Sequence, residues 1–178
     1  MNKNKYITIS LILIAIALFS RIIPHAPNFT PLISIALVSA LLFKEKKYIF
    51  ISLLGLLLSD VLLDYYHYSG YLFTPLFFFT YISLGLVFLF SYKFNNSLTL
   101  KSIVLHSLSG AIIFFLASNF GVWLLGGYTY SFGGLISCYT MGIPFFKNTL
   151  SSTLLYSIVL SAPVLYKKHI TSLEEIHS

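Results

Sequence analysis

The chain alternates long apolar runs with short breaks that are polar or contain proline. Apolar runs at residues 6–20, 31–43, 48–63, 75–92, 102–125 and 148–166 predict six helices. A helix needs about 20 mostly apolar residues to cross a hydrocarbon layer of about 30 Å. The pattern therefore predicts an all-α integral membrane protein with six transmembrane helices, in which residues 1–178 form a single transmembrane domain. The second run is short for this thickness, so it is expected to tilt, to start inside the preceding break, or to span only part of the bilayer.

The break at residues 21–31, RIIPHAPNFTP, separates the first two runs and contains three prolines. Proline cannot continue a helix, and it biases the preceding residue toward extended backbone. A break at the end of a membrane span exposes backbone N–H and C=O groups, which hydrocarbon does not tolerate unless protein or water satisfies them. This segment is therefore a candidate site lining.

A second irregular segment is predicted at residues 126–146. It contains five glycines and Pro144 but no charged residue. Glycine and proline interrupt helices, so we expect an irregular or half-helical piece at the membrane interface.

Composition excludes a soluble domain, because 57% of the residues are hydrophobic and 9% are charged. The formal charge of +6 comes from lysines beside apolar runs, a pattern typical of topology signals and not of a nucleic-acid-binding face. The first run follows Lys3 and Lys5 as in a signal peptide. No small-x-small cleavage site follows it, which favours a retained helix. A single cysteine, Cys138, excludes an internal disulfide.

The orientation follows from the basic residues. If the N-terminus is cytoplasmic and six helices span, Arg21 and Lys147 lie outside. The inside residues are then Lys3, Lys5, Lys44, Lys46, Lys47, Lys93, Lys101, Lys167 and Lys168. This strong positive-inside bias predicts a multi-pass protein of the bacterial inner membrane with both termini in the cytoplasm.

In this orientation most of the unusual polar and aromatic residues lie on the outer side. By helix rise, Arg21, Asp60 and Asn119 lie about 22, 18 and 26 Å above the starts of their helices, so they are expected to share one layer. The candidate substrate-binding residues are Arg21, His25, Asn28, Asp60, His67, Tyr68, Asn119, Trp123, Tyr128, Cys138, Tyr139 and Asn148.

Structural alternatives exist for these residues. Arg21 and Asp60 would neutralise each other as a buried ion pair, and the tyrosines and Trp123 would form an aromatic belt at the membrane interface. His25 and His67 with the carboxylates Asp60 and Asp64 resemble a metal set in residue type, but they lack the spacing of a metal motif. No catalytic motif is present, so we expect that the protein is not an enzyme. We also expect it to hold no resident metal or cofactor.

Four separated motifs, RIIPHAPNFTP, LLSD, SNFGVW and GGLISCYTMGIPFFKNTL, occur in that order. Together they resemble, over nearly the whole chain, a family of small bacterial membrane proteins with no assigned function.

The layout of six short helices with a proline-rich break after the first also resembles the substrate-binding S components of energy-coupling factor (ECF) vitamin transporters. This resemblance implies an ECF S-component-like bundle that captures a small water-soluble vitamin, cofactor or precursor at its outer face. It also implies a coupling membrane subunit with paired ATPases as a partner, beside the lipid bilayer. The nearest pair of alanines four apart, Ala36 and Ala40, lies in the second helix and not the first, so a solitary carrier is an alternative.

In this hypothesis Arg21 and Lys147 meet an anionic group of the ligand or hold Asp60. The asparagines supply directional hydrogen bonds, and the aromatic residues wall the ligand. A membrane-embedded enzyme and a structural or assembly subunit are the rival classes.

Overall fold

The computed structural model describes residues 3–43, 46–67, 70, 72–94 and 98–177. The described chain is all-helical. Its helices are α1 (Lys3–Ile22), α2 (Leu32–Leu42), α3 (Lys46–His67), α4 (Pro75–Lys93), α5 (Leu100–Leu124) and α6 (Phe132–His177).

Three of the helices are long and apolar enough to cross a membrane: Pro75–Lys93, Leu100–Leu124 and the Phe132–Lys167 part of α6. These helices indicate a membrane protein. Each of them is preceded by a threonine or serine that caps its first turn. Thr74 accepts a hydrogen bond from the N–H of Phe77 at 3.2 Å, and Pro75 opens α4.

The short helix α2 lies at the centre of the bundle and contacts each of the other five helices. Its sequence has no polar face, and every residue from Ile33 to Leu41 is buried. At 11 residues it is about 16 Å long. A helix of this composition is stable in the interior because its neighbours cover its whole circumference. Its small residues Ala36 and Ala40 let those neighbours approach closely.

The break between α1 and α2 begins later than predicted. Helix α1 continues through Arg21 to Ile22, because the first proline that stops it is Pro24. The loop of residues 23–31, called here the proline loop, contains Asn28 in the left-handed region with φ 62°. Asparagine tolerates this conformation better than most residues.

The proline loop is fastened to α6. The side-chain amide of Asn148 donates to the carbonyl of Pro27 at 3.0 Å, and the hydroxyl of Ser152 donates to the carbonyl of Asn28 at 3.4 Å. The rings of Phe29 and Tyr156 also lie 6.0 Å apart. These contacts fix the loop at the end of the bundle where α3 ends and α4 begins.

The prediction of an irregular segment at residues 126–146 is wrong for most of its length, because α6 begins at Phe132. Helix α5 ends in a Schellman motif, with Gly126 at φ 80° and the N–H of Gly127 bonded to the carbonyl of Val122 at 3.1 Å. After a short turn, Ser131 caps α6 by accepting from the N–H of Gly134 at 3.0 Å.

Helix α6 then runs through Pro144 without ending. A proline inside a helix costs about 3 kcal/mol, which packing has to offset. Helix α5 packs against α6 on both sides of Pro144: Tyr139 donates to the carbonyl of Leu116, and the rings of Phe115 and Phe146 lie 4.8 Å apart.

Substitutions at two buried serines test how much buried hydroxyl groups stabilise this bundle. Ser34 on α2 donates to the carbonyl of Thr153 on α6 at 3.0 Å, whereas the hydroxyl of Ser157 on α6 has no hydrogen-bond partner among the described residues. We expect Ser34→Ala to destabilise the protein by about 1 kcal/mol, because a bond between two helices is lost. We expect Ser157→Ala to be neutral or stabilising, because it removes an unpaired polar group. Thermal unfolding in one detergent measures both, and equal losses of stability would show that Ser157 is also bonded.

Candidate functional site

A cavity of about 610 Å³ lies at the proline-loop end of the bundle. Its wall combines apolar and aromatic side chains with a small set of polar ones, a lining typical of small-molecule sites, and its volume falls in their range. The lining residues are His25, Asn28, Thr30, Leu32, Ile33, Asp60, Leu63, Leu76, Thr80, Phe114, Phe115, Ser118, Asn119, Val122, Gly142, Phe145, Phe146 and Thr149.

The cavity lies below the ends of the helices. Asp60 lies beside Tyr81, six residues into α4, which corresponds to about 9 Å along the helix. Asn119 lies five residues before the end of α5, about 8 Å from it. Asp60 on α3 and Asn119 on α5, two helices that both end on this side of the bundle, therefore lie at a similar depth.

Asp60 is a buried carboxylate, with 5% of its surface exposed. Its Oδ2 accepts a hydrogen bond of 2.6 Å from the hydroxyl of Tyr81. The ring of Tyr81 lies 4.6 Å from that of Phe77, which is also buried. Burial and the hydrogen bond hold the carboxylate in one orientation on the α3 wall of the cavity.

Asn119 is held from two sides on the α5 wall. Its side-chain amide donates to the backbone carbonyl of Phe115 at 2.8 Å. The backbone carbonyl of Asn119 accepts a hydrogen bond from the thiol of Cys138 at 3.3 Å. Gly142 on α6 leaves the space in which the Asn119 side chain sits, since a Cβ there would lie 2.6 Å from Oδ1 of Asn119. The pairing of α5 and α6 thus sets the position of the amide.

The rim of the cavity comes from the proline loop. His25 and Asn28 are exposed there, and Nδ1 of His25 lies 3.2 Å from the carbonyl of Ala26. Four of the residues predicted to bind substrate, His25, Asn28, Asp60 and Asn119, therefore line a single cavity.

Other residues predicted to bind substrate do not line this cavity and instead make contacts within the protein. Trp123 donates from Nε1 to the carbonyl of Thr129 at 3.1 Å, and Tyr128 lies in the same turn between α5 and α6. Tyr139 bridges these helices by donating to the carbonyl of Leu116 at 2.8 Å. Cys138 and Asn148 hold Asn119 and the proline loop as described above. The side chains of Arg21 and His67 and all of Tyr68 lie outside the described residues, so their predicted roles stay predictions.

Several lining residues were missed by the sequence interpretation. On α6 they are Gly142, Phe145, Phe146 and Thr149, which recur at three- and four-residue intervals on one helical face. The expectation of an irregular segment at residues 126–146 concealed this periodicity. Thr80 and Ser118 carried a weaker signal, since each is adjacent to a polar residue at the same depth, Tyr81 or Asn119.

A second cavity, of about 790 Å³, lies between α1 and the later part of α6. Its lining is almost entirely aliphatic, and Thr8 and Lys167 are its polar residues. It lacks the set of converging polar groups that orients a small ligand. In the described part of the chain, no group of three or more His, Cys, Asp or Glu residues is placed to hold a metal ion. The cavity at the proline loop is therefore the candidate functional site.

A glycine-to-alanine pair tests the close contact at Asn119. In Gly142→Ala the new methyl group meets Oδ1 of Asn119 and the ring of Phe115, at 2.6 and 2.9 Å. We expect a loss of about 1 to 3 kcal/mol in stability, because overpacking outweighs the better helix propensity of alanine. Gly85→Ala on α4 is the control, since no atom apart from the neighbouring backbone of its own helix lies within 4 Å of the added Cβ there. Thermal unfolding of the two variants should differ in sign, and a stabilised Gly142→Ala would contradict the packing described here.

Comparison with known proteins gives the family of the chain and no closer relative. No curated protein and no solved structure matches it. Residues 1–173 match the family described as "Family of unknown function (DUF6580)", which is nearly the full length. The chain belongs to this family of unknown function, DUF6580.

Proposed function

We propose that this protein is a substrate-binding membrane component that captures a small water-soluble vitamin, cofactor or precursor at the outer face of the bacterial inner membrane. The observation that carries the proposal is the convergence of His25, Asn28, Asp60 and Asn119 on one cavity with a mixed lining. Such residues come from the proline loop, α3 and α5, so the complete fold is needed to assemble them.

The distribution of basic residues supports the outer location. With six spans and a cytoplasmic N-terminus, the proline-loop end faces outward and the lysine-rich ends face the cytoplasm. The cavity then lies about 9 Å below the outer ends of the helices, within reach of solutes that enter past the exposed His25. A binding site in an S-component-like bundle has this placement.

The source of energy for uptake is proposed to be a partner. The sequence contains no nucleotide-binding motif. A coupling membrane subunit with ATPases would supply the energy in the arrangement that the resemblance implies.

Cysteine labelling tests the orientation. In a Cys138→Ala background, we expect His25→Cys to react with a membrane-impermeant maleimide in intact spheroplasts, because the position is exposed at the proline loop. Lys93→Cys should react only after the membrane is opened. Labelling of position 25 from the cytoplasmic side alone would contradict the outer location.

Retention of a small molecule tests binding directly. We expect native mass spectrometry of the purified protein to show a bound small molecule that Asn119→Leu reduces by about tenfold or more, because the change removes the amide from the cavity wall. Thr140→Val is the control, since Thr140 is exposed on α6 and does not line the cavity. Absence of any bound molecule, or equal retention in Asn119→Leu, would contradict the proposed function.

A further inference from the structure

The helices around α2 divide into two units. Helices α1 and α3 pack on each other and form the two-helix unit, while α5 packs on both α4 and α6 and forms the three-helix unit with them. Among the described residues, the helices of one unit do not pack closely on those of the other. Glycines interlock each unit internally, since a Cβ at Gly55 would overlap Ile14 and one at Gly121 would overlap Phe79. Helix α2 is therefore the element that joins two closely packed bodies.

Helix α2 also separates the two cavities described above. Its first residues, Leu32 and Ile33, line the cavity at the proline loop, and its last residue, Leu42, lines the cavity between α1 and α6. Each cavity has lining residues from both units. From Leu32 to Leu42 the helix rises about 15 Å, roughly half of a hydrocarbon layer of about 30 Å. The barrier between the cavities is therefore α2 and its contacts.

Buried hydroxyl groups of α6 lie along the face that runs from one cavity to the other. Thr149 lines the proline-loop cavity, and Leu160 lines the second cavity. Between them, Thr153 and Ser157 continue the same helical face at intervals of three and four residues. Both side chains are fully buried, and neither hydroxyl has a hydrogen-bond partner among the described residues. The backbone carbonyl of Thr153 accepts from the hydroxyl of Ser34, which places α2 beside this face.

Helices α4 and α5 add two more unpaired hydroxyls. A Cβ at Gly110 of α5 would lie 3.1 Å from Val87 of α4 and 3.5 Å from Leu37 of α2, so the three helices meet at this point. Ser107 lies three residues before Gly110, and Ser91 lies four residues after Val87, on the same helical faces. Their side chains are fully buried, and their hydroxyls have no partner in the described part of the chain. The three-helix unit thus turns four unpaired hydroxyls toward α2, and each of them costs free energy.

We propose that α2 is a movable plug and that the protein passes its ligand across the membrane instead of only capturing it. Displacement of α2 and the two-helix unit away from the three-helix unit opens a passage between the two cavities, and the four hydroxyls line it. Water and a polar solute then bond to groups that are unpaired in the closed state, which offsets part of the packing that is lost. The inference rests on the proposed function for the solute and adds the passage to it.

Cysteine reactivity tests the passage in the full-length protein in nanodiscs. In a Cys138→Ala background, the rate at which Ser157→Cys reacts with a charged, water-soluble methanethiosulfonate is compared with the rate of His25→Cys. An open state with a population of about 1% gives Ser157→Cys about 1% of the rate at the exposed position 25.

The wild-type protein is the matched control. Its Cys138 is buried between α5 and α6 inside the three-helix unit, which stays closed when α2 moves. Static burial gives it no advantage, since it is no more buried than Ser157. We expect Cys138 to react about tenfold or more slowly than Ser157→Cys, because the open state does not expose it.

Ser34→Ala separates opening at α2 from general unfolding. It removes the hydrogen bond between α2 and the carbonyl of Thr153, so it favours the open state. The expected result is an increase of about fivefold in the rate at Ser157→Cys, with the rate at Cys138 unchanged when the same change is made in the wild-type protein. If both rates increase together, unfolding exposes the thiols and the passage is wrong. Thr153→Cys is a second reporter on the same face and should respond in the same way.

Further outcomes separate the passage from the binding function. If Ser157→Cys and Thr153→Cys react no faster than Cys138, the passage is wrong, while a retained molecule that Asn119→Leu releases leaves the binding function in place. If both cysteines react at the expected rate and no molecule is retained, the passage stands and the binding function fails.

Discussion

The burial of α2 on every side is the constraint on which the rest of the structure depends. A helix with nine consecutive buried residues needs neighbours all around it, and each of the other five helices supplies part of that surface. Lipid gives no hydrophobic drive between helices, so close packing and hydrogen bonds have to hold them. Ser34 supplies one such bond to α6, and the alanines of α2 allow the approach. The first residues of α2, Leu32 and Ile33, also form part of the cavity wall.

The proline loop completes the cavity that forms the candidate site. Three prolines keep it out of helical conformation, and its backbone carbonyls at Pro27 and Asn28 accept hydrogen bonds from Asn148 and Ser152 on α6. These bonds satisfy groups that hydrocarbon would leave unpaired. Asn148, which the sequence predicts to contact substrate, supplies one of these two bonds from its side-chain amide. With the loop fixed, His25 and Asn28 remain on the rim of the cavity.

The sequence predicts where the helices lie along the chain better than it predicts which side of each helix faces its neighbours. Proline and threonine signals place the start of α4, and helix rise alone brings Asp60 and Asn119 to similar depths. Rotation about each helix axis depends on contacts between helices, which a single sequence does not reveal. The close approach of Gly142 to Asn119 and of Gly121 to Phe79 are examples. Tyr139 therefore faces α5, and packing carries α6 through Pro144 against local propensity.

Helix α6 joins the two parts of this arrangement. Between Cys138 and Phe146 it packs on α5 and shapes the wall around Asn119, while near Thr153 it contacts α2. Asn148, between these stretches, bonds to the proline loop. One continuous helix thus connects the wall, the rim and the central helix, so a displacement of any of them is opposed by contacts with α6. Because the polar groups of the cavity belong to separate elements, this shared attachment keeps them at fixed distances, which a directional binding site requires.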